Sequence, residues 1–369
     1  MDKFIVSTSP HVKAKRNTTR SIMLEVLIAL LPLVVVATVF YGYHVIINLA
    51  VCCISCYGFE LLYEKIRQGK AFTFKKASVH NFSCLVTAVI LALNLPTTMN
   101  IWGLNVVNGS EIVISFDIII ACVLGSLFAI VIIKQLFGGI GKNFINPALG
   151  ARVFLFLCFG AMFLPVPTMF DATTSATWLS VKNEVTGGML LSMFLGTTGS
   201  AAVGETCVIA LVVSYVYLSV RKIIDWKLPL VIVASGFVFA ILFDGVVNGL
   251  VGINLINNAI AHVLSGGLIF GAVFMATDYA TSPKSTIAVI IYGVLLGFIT
   301  VIIRKFGSYP EGVSFAILIM NIVTPLLEKI KPRVFGQPKK DFVLIIKNKQ
   351  AEREAKKALK AAEGGVANE

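Results

Sequence analysis

Charge is scarce in this chain. Only 14% of its residues are Asp, Glu, Lys or Arg, where soluble domains average about 25%. With 57% hydrophobic residues and a mean hydropathy of +0.88, an ordinary soluble domain is excluded and an integral membrane protein is expected. Acids are scarcer than bases, 19 against 31, leaving a formal net charge of +12. The surplus gathers at the two ends and in short loops. There it reads as an orientation signal facing the lipid bilayer, not as a footprint for nucleic acid. The basic first 20 residues are not followed by a short apolar run with a small-residue cleavage site, so no cleavable signal is expected. Cys52, Cys53 and Cys56 sit in an apolar run without a fourth cysteine nearby. Core packing of free thiols is the expected reading, and no metal is expected. A cluster completed by a partner's cysteines is the one form of ligation left open.

Long apolar runs are what the chain does have. Stretches of about 20 apolar residues cross a bilayer as helices. They fall at about 22–41, 45–63, 81–95, 114–133, 147–165, 203–220, 228–243, 258–277, 286–303 and 310–328. The fold class predicted is all-α and integral to the membrane, with about ten transmembrane helices. The run 188–199 is too short and glycine-rich to cross, and is read as a half-helix packed inside protein. Placing the N-terminus inside puts the basic loops 64–76, 134–142 and 221–227, Lys284 and the tail from Lys329 in the cytoplasm. The loops 96–113, 166–187 and 244–257 then face outside with one lysine, Lys182, and only Arg304 and Lys305 break the pattern. VIIKQLFGG at 131–139 is similar to VIIRKFGS at 301–308, and TAVILALN at 87–94 to GAVFMATD at 271–278. Two inverted five-helix repeats follow, in which Arg304 mirrors the inside Lys134. The expected organisation is a basic cytoplasmic N-terminus 1–20, a first repeat 21–165, an external loop 166–187, a second repeat 188–330 and a charged cytoplasmic tail 331–369. Asn108-Gly109-Ser110 matches the glycosylation sequon and is taken as chance.

Within the external loop, DATTSATW at 171–178 places Thr173, Thr174, Ser175 and Thr177 between an acid, Asp171, and a large ring, Trp178. A helix-capping turn explains such a run. So does an exposed loop of small residues whose hydroxyl reaches another enzyme's active site.

Several stretches carry a family resemblance. Asp171-x-x-Thr174-x-Ala176-Thr177 resembles the motif read by the flavin transferase that attaches FMN to its last threonine. SPH at 9–11, FGGIGKNFINPALGARVF at 137–154, GSAAVGET at 199–206, RKIIDWKLP at 221–229, ATDYATSPKS at 276–285 and YPEGVSFAILIMN at 309–321 resemble the D subunit of Rnf complexes. They also resemble its homologue, the B subunit of the sodium-pumping NADH:quinone reductase. The likeness covers about 4–335, and without that reductase subunit's long N-terminal extension the Rnf D subunit is the nearer match. Ala172 in place of the commoner glycine, and a missing proline before GSAAVGET, are the departures.

The resemblance implies a flavoprotein subunit in the cell (inner) membrane, with both termini cytoplasmic and the flavin outside. It implies covalent FMN on Thr177, with Asp171, Thr174 and Ala176 recognised by the transferase; Trp178 is positioned to stack on the ring. It implies the A, B, C, E and G subunits of an Rnf complex as partners, and electron transfer between ferredoxin and NAD coupled to Na+ or H+ translocation. Such a chain is part of a translocase and carries no catalytic residues of its own. The turn bearing Asn143, Asn146 and Arg152 is read either as a structural helix entry or as the site of a second, non-covalent flavin, riboflavin. Phe270, Phe274 and Asp278 share one helix face, with repeat counterparts Val86, Ile90 and Asn94. These are read either as helix packing or as a dry constriction on an ion route, capped by Asp278 and Asn94 on the cytoplasmic side. Glu205 is read either as a functional acid inside a membrane segment or as neutralising a helix N-terminus, with Glu25 and Glu60 behind it. His262 is expected to be a satisfied interface histidine. The rival function is a small-solute channel or transporter without a redox role, which the same inverted plan suits.

Overall fold

The computed structural model describes residues 18–74, 77–97, 104–108, 111–160, 185–196, 202–247, 249, 251–265, 267–307 and 312–330. The structure is helical, with one small β-ribbon. Among the described residues, five helices are long and apolar enough to cross a bilayer: α1 (Thr19–Tyr41), α2 (His44–Gln68), α4 (Phe116–Gln135), α8 (Lys227–Val247) and α11 (Thr286–Phe306). A bent pair, α9 (Gly252–Leu264) followed by α10 (Leu268–Met275) at 51°, has the length and apolarity of a broken span or a re-entrant loop. Four shorter apolar helices complete the bundle: α3 (Ser83–Leu93), α5 (Pro147–Cys158), α7 (Val208–Val220) and α12 (Val313–Leu327). They have 11, 12, 13 and 15 residues. Each falls short of the roughly 20 that a hydrocarbon core about 30 Å thick requires. The half-helix expected at 188–199 is α6, Gly187–Leu195.

The helical class expected from the sequence is what the described residues show, with one small hairpin added. β1 (Asn105–Asn108) pairs antiparallel with β2 (Glu111–Ser115), with a bulge between Val106 and Val107. β-branched residues on both sides of Asn108-Gly109 favour such a ribbon. Ser115 Oγ donates to Asn105 Oδ1 at 2.8 Å and closes its base.

Helix starts and close crossings follow from local chemistry. Thr18 caps α1, its hydroxyl accepting from Ser21 N–H at 3.2 Å. Asn146 caps α5, its Oδ1 accepting from Ala148 N–H at 3.0 Å and Leu149 N–H at 3.3 Å, with Pro147 at the first helical position. α11 lies tightly on α8 through Gly293 and Gly297. A Cβ on Gly297 would stand 2.1 Å from Ser235 Oγ and 2.7 Å from the Gly236 nitrogen. The Ser235 hydroxyl donates to the Gly293 carbonyl at 3.0 Å, the kind of small-residue contact that joins helices in lipid. α2 packs on α3 and α4, α8 on α9 and α11, and α1 crosses α7. Cys52, Cys56, Cys84 and Cys122 are free thiols buried in this core.

Candidate functional site

Two short helices, α3 and α10, carry most of the candidate ion-route residues. Each is held at its start by buried charge. At the start of α3, Lys134 from the last turn of α4 donates to Ser83 Oγ at 2.7 Å and to Glu60 Oε2 of α2 at 2.8 Å. Glu60 Oε1 accepts from Ser78 Oγ at 2.6 Å, and Glu64 accepts from the Ser78 N–H. At the start of α10, Arg304 near the end of α11 donates to the carbonyls of His262 and Ser265. Lys305 pairs with Asp244 of α8, whose carboxylate lies 3.6 Å from His262 Nε2. His262 is therefore a buried interface residue. Arg304 and Lys305, the two exceptions to the loop-charge pattern, are internal ligands. Glu25 is engaged as well, by Arg221 and Tyr217.

The far ends of the two half-helices meet a different cluster. Asn94 follows α3, and its Nδ2 donates to the Ile90 carbonyl at 2.6 Å. Arg152 Nη1, from α5, donates to Asn94 Oδ1 at 2.9 Å and to Glu205 Oε1 at 3.2 Å. The Glu205 carboxylate lies against Gly267, just before α10; a Cβ there would stand 2.1 Å from Oε1. Gly204 fits the turn between the half-helices, since its Cβ would stand 2.9 Å from Leu93 Cβ and 3.1 Å from Phe270 Cε2.

A cavity of about 400 Å³ lies at the opposite end of the pair. Its apolar wall includes Val86 and Ile90 of α3 and Val273 and Phe274 of α10. Ser83, Lys134, Thr277 and Asp278 add polar groups, as do Asn143 and Asn146 before α5. The start of α3 and the end of α10 thus share the cavity, while the end of α3 and the start of α10 share the Arg152–Glu205 pair. The two half-helices run in opposite directions. Asn143 Nδ2 lies 3.4 Å from Asp278 Oδ2 and donates to the Ile145 carbonyl at 3.0 Å. Asn146 Nδ2 donates to the Met275 carbonyl at 3.3 Å, tying the start of α5 to the end of α10. The Gly271–Met275 segment is a π-helical turn, Ala276 N–H bonding to the Gly271 carbonyl at 2.8 Å. Such turns recur at functional sites. In the loop after α10, the enclosed position of Asp278 raises its carboxyl above the usual range; backbone N–H groups and Asn143 oppose that rise.

The expectations divide accordingly. Val86, Ile90, Phe274, Asp278, Asn143 and Asn146 gather round one cavity. Asn94 and Asp278 do not cap the same side: they lie at opposite ends of the pair, because inversion of one half-helix carries its C-terminal residue to the other end. Arg152 does not line that cavity with Asn143 and Asn146; it lies with Glu205 and Asn94. Phe270 packs on Gly204, its ring centroid 5.4 Å from that of Phe274. Asp171, Thr174, Ala176, Thr177 and Trp178 lie outside the described residues. Sequence reasoning misses Lys134 and Arg152 as the partners of Glu60 and Glu205. The rule that intramembrane acids pair with bases points to such partners without naming them.

Comparison with known proteins gives a consistent result. Residues 5–336 match the model of the NQR2, RnfD, RnfE family. The chain is 39% identical to the D subunit of the Na(+)-translocating ferredoxin:NAD(+) oxidoreductase complex of Acetobacterium woodii, over 90% of this chain and 96% of that protein. It is 31% identical to the D subunit of the proton-translocating ferredoxin:NAD(+) oxidoreductase complex of Clostridium ljungdahlii, with the same coverage, 90% and 96%. A third relative, 27% identical over 90% of this chain and 98% of its own length, is the D subunit of the ion-translocating oxidoreductase complex of Actinobacillus succinogenes.

Proposed function

The chain belongs to the NQR2, RnfD, RnfE family, and from that premise we propose that it is the membrane-embedded D subunit of an Rnf-type complex. It carries a covalent flavin and contributes part of the path for a translocated Na+ or H+. The observation that carries the ion-path reading is the antiparallel pair α3 and α10, with a cavity at one end and a buried ion pair at the other. Half-helices from repeats of opposite orientation are a common plan for moving ions at the middle of a bilayer. The short apolar helices α3, α5, α7 and α12 complete ten crossings in this reading, with α1 to α5 forming one half and α7 to α12 the other. Glu60 pairs with Lys134 in one half and Asp244 with Lys305 in the other, Lys305 standing one residue beyond Arg304, the counterpart of Lys134. Within this plan the loop bearing Thr177 faces outside and both termini face the cytoplasm.

The residues for two flavins are compatible with this chemistry. Thr177 supplies the hydroxyl for a phosphodiester to FMN, in a segment of small residues that a transferase can reach. Asp171, Thr174 and Ala176 are its recognition positions, and Trp178 offers a face for stacking. The cavity volume of about 400 Å³ lies within the ~300–1,000 Å³ of small-molecule sites. Its apolar sides and polar rim suit a flat heterocycle such as riboflavin. Asn143 is the side chain placed to orient such a ring; the amide of Asn146 is engaged with backbone at both ends. A bound flavin supplies electron transfer, and the protein holds it, excludes water and sets the local charge.

Mass spectrometry of the Thr177 peptide from the native complex tests the covalent assignment. An FMN adduct on Thr177, absent from Thr177→Val together with in-gel flavin fluorescence and electron flow to NAD, is expected. An unmodified Thr177 in an active complex refutes it.

A further inference from the structure

The Arg152–Glu205 pair lies where a transported cation has to pass, given the reading of α3 and α10 as the walls of an ion path. Ile90 lines the cavity and Asn94 lies one helical turn beyond it, a rise of about 6 Å. Asn94 Oδ1 and the Glu205 carboxylate therefore lie, buried, beyond the α3 wall of the cavity. A single nitrogen, Arg152 Nη1, bridges those two oxygens at 2.9 and 3.2 Å. The side chains of Arg152 and Glu205 are only 6% and 4% exposed.

We propose that Glu205 and Asn94 form a binding site for the translocated monovalent cation, and that the Arg152 guanidinium stands in for that cation in the conformation seen here. A carboxylate and an amide oxygen are hard donors suited to an alkali cation; the carboxylate alone suits a proton. Glu205 is kept against Gly267, just before the start of α10, by the lack of a side chain there. Arg152 cannot deprotonate, so the site is vacated by movement of the side chain and not by loss of its charge. One carboxylate balances one positive charge in this low-dielectric setting. A second cation entering beside the guanidinium is repelled, and this keeps the path shut to passive flow. The neutral Asn94 Oδ1 accepts a hydrogen bond from the guanidinium and would coordinate the cation in its place. The positive charge on α5 thereby acts as a tethered competitor of the ion.

The test uses the purified complex in proteoliposomes, with radioactive sodium in one arm and an internal pH indicator in the other. Wild-type complex driven by reduced ferredoxin and NAD reports the underlying transport reading; no cation movement in either arm refutes that reading by itself. With transport established, Arg152→Gln is expected to raise passive cation flux, measured without redox substrates, at least tenfold. Glu205→Gln is expected to abolish driven uptake, and the double substitution to lose the passive flux again. The arm that responds identifies the ion. Passive flux at the wild-type level in Arg152→Gln overturns the proposal. Should that variant fail to assemble, Arg152→Lys keeps the charge and decides the matter. A shift of at least threefold in the half-saturating cation concentration supports the competitor role, and an unchanged value overturns it.

Discussion

The Glu60–Lys134 pair offers the sharpest test of how the half-helices are held. Glu60 is fully buried and Lys134 nearly so, at 0% and 4% side-chain exposure, with 2.8 Å between Nζ and Oε2. Replacing Lys134 by Met removes the cation, leaves the Glu60 carboxylate uncompensated and deprives Ser83 Oγ of a donor. Removing one partner of a buried pair costs about 3–5 kcal/mol, whereas replacing both with groups of similar volume is often neutral. At roughly 2–4 °C per kcal/mol for a protein of moderate size, the single substitution is expected to lower the unfolding temperature by on the order of 10 °C. Glu60→Gln combined with Lys134→Met is expected to recover most of that loss, since the amide still accepts from Ser78. The assay is thermal unfolding of the purified complex in detergent, followed by loss of the monodisperse species. A double variant that loses the sum of the two single effects would show that the partners act independently. That result refutes the claim that their charges compensate each other.

Two further outcomes follow from the same geometry. Gly267→Ala places a Cβ 2.1 Å from Glu205 Oε1 at a residue with φ of +68°, a strain of about 1–3 kcal/mol. It is expected to displace the carboxylate and depress driven cation uptake without changing the flavin content of the complex; normal uptake counts against the role given to Glu205. Asp278 has its carboxyl raised by burial, so ionisation works against the folded state. The stability it contributes is complete below the ordinary carboxylate value of about 3.9 and is lost as pH rises through the raised one. Asp278→Asn is therefore expected to raise the unfolding temperature at neutral pH, with the gain vanishing on acidification. A gain that grows as pH falls refutes the direction of the shift.

Much of this arrangement is readable in the sequence, and the failures share a cause. Periodicity and apolar length locate the long helices, because burial in lipid acts on every residue of a span. The likeness of VIIK to VIIR sets Lys134 and Arg304 in parallel, and both prove to anchor a half-helix. Contacts between distant segments are not readable. Arg152 and Glu205 are 53 residues apart, and nothing local marks the partner of either. Asn94 and Asp278 look one-sided because their motifs match as strings, while their direction in space is reversed. The hairpin escapes notice when Asn108-Gly109 is weighed only as a sequon, although β-branched residues flank it.

The buried charges also explain how a helix can begin within the bundle. Such a start leaves backbone N–H groups without intrahelical partners, and the connecting segment has polar groups of its own. On the α3 side Glu64 accepts the Ser78 N–H, and Glu60 and Lys134 bind the Ser78 and Ser83 hydroxyls. On the α10 side Arg304 binds the carbonyls of His262 and Ser265. Each base comes from the end of the long helix that follows in sequence, and each acid from the long helix that precedes. The connecting segments are thus clamped between two rigid elements by charge-assisted bonds, the stronger class. The C-terminal ends are held differently, by the amides of Asn94, Asn143 and Asn146. Amides exchange hydrogen-bond partners without changing charge. At the end of α3 the Asn94 amide meets the buried Arg152 guanidinium, and at the end of α10 the Asn146 amide meets the Met275 carbonyl.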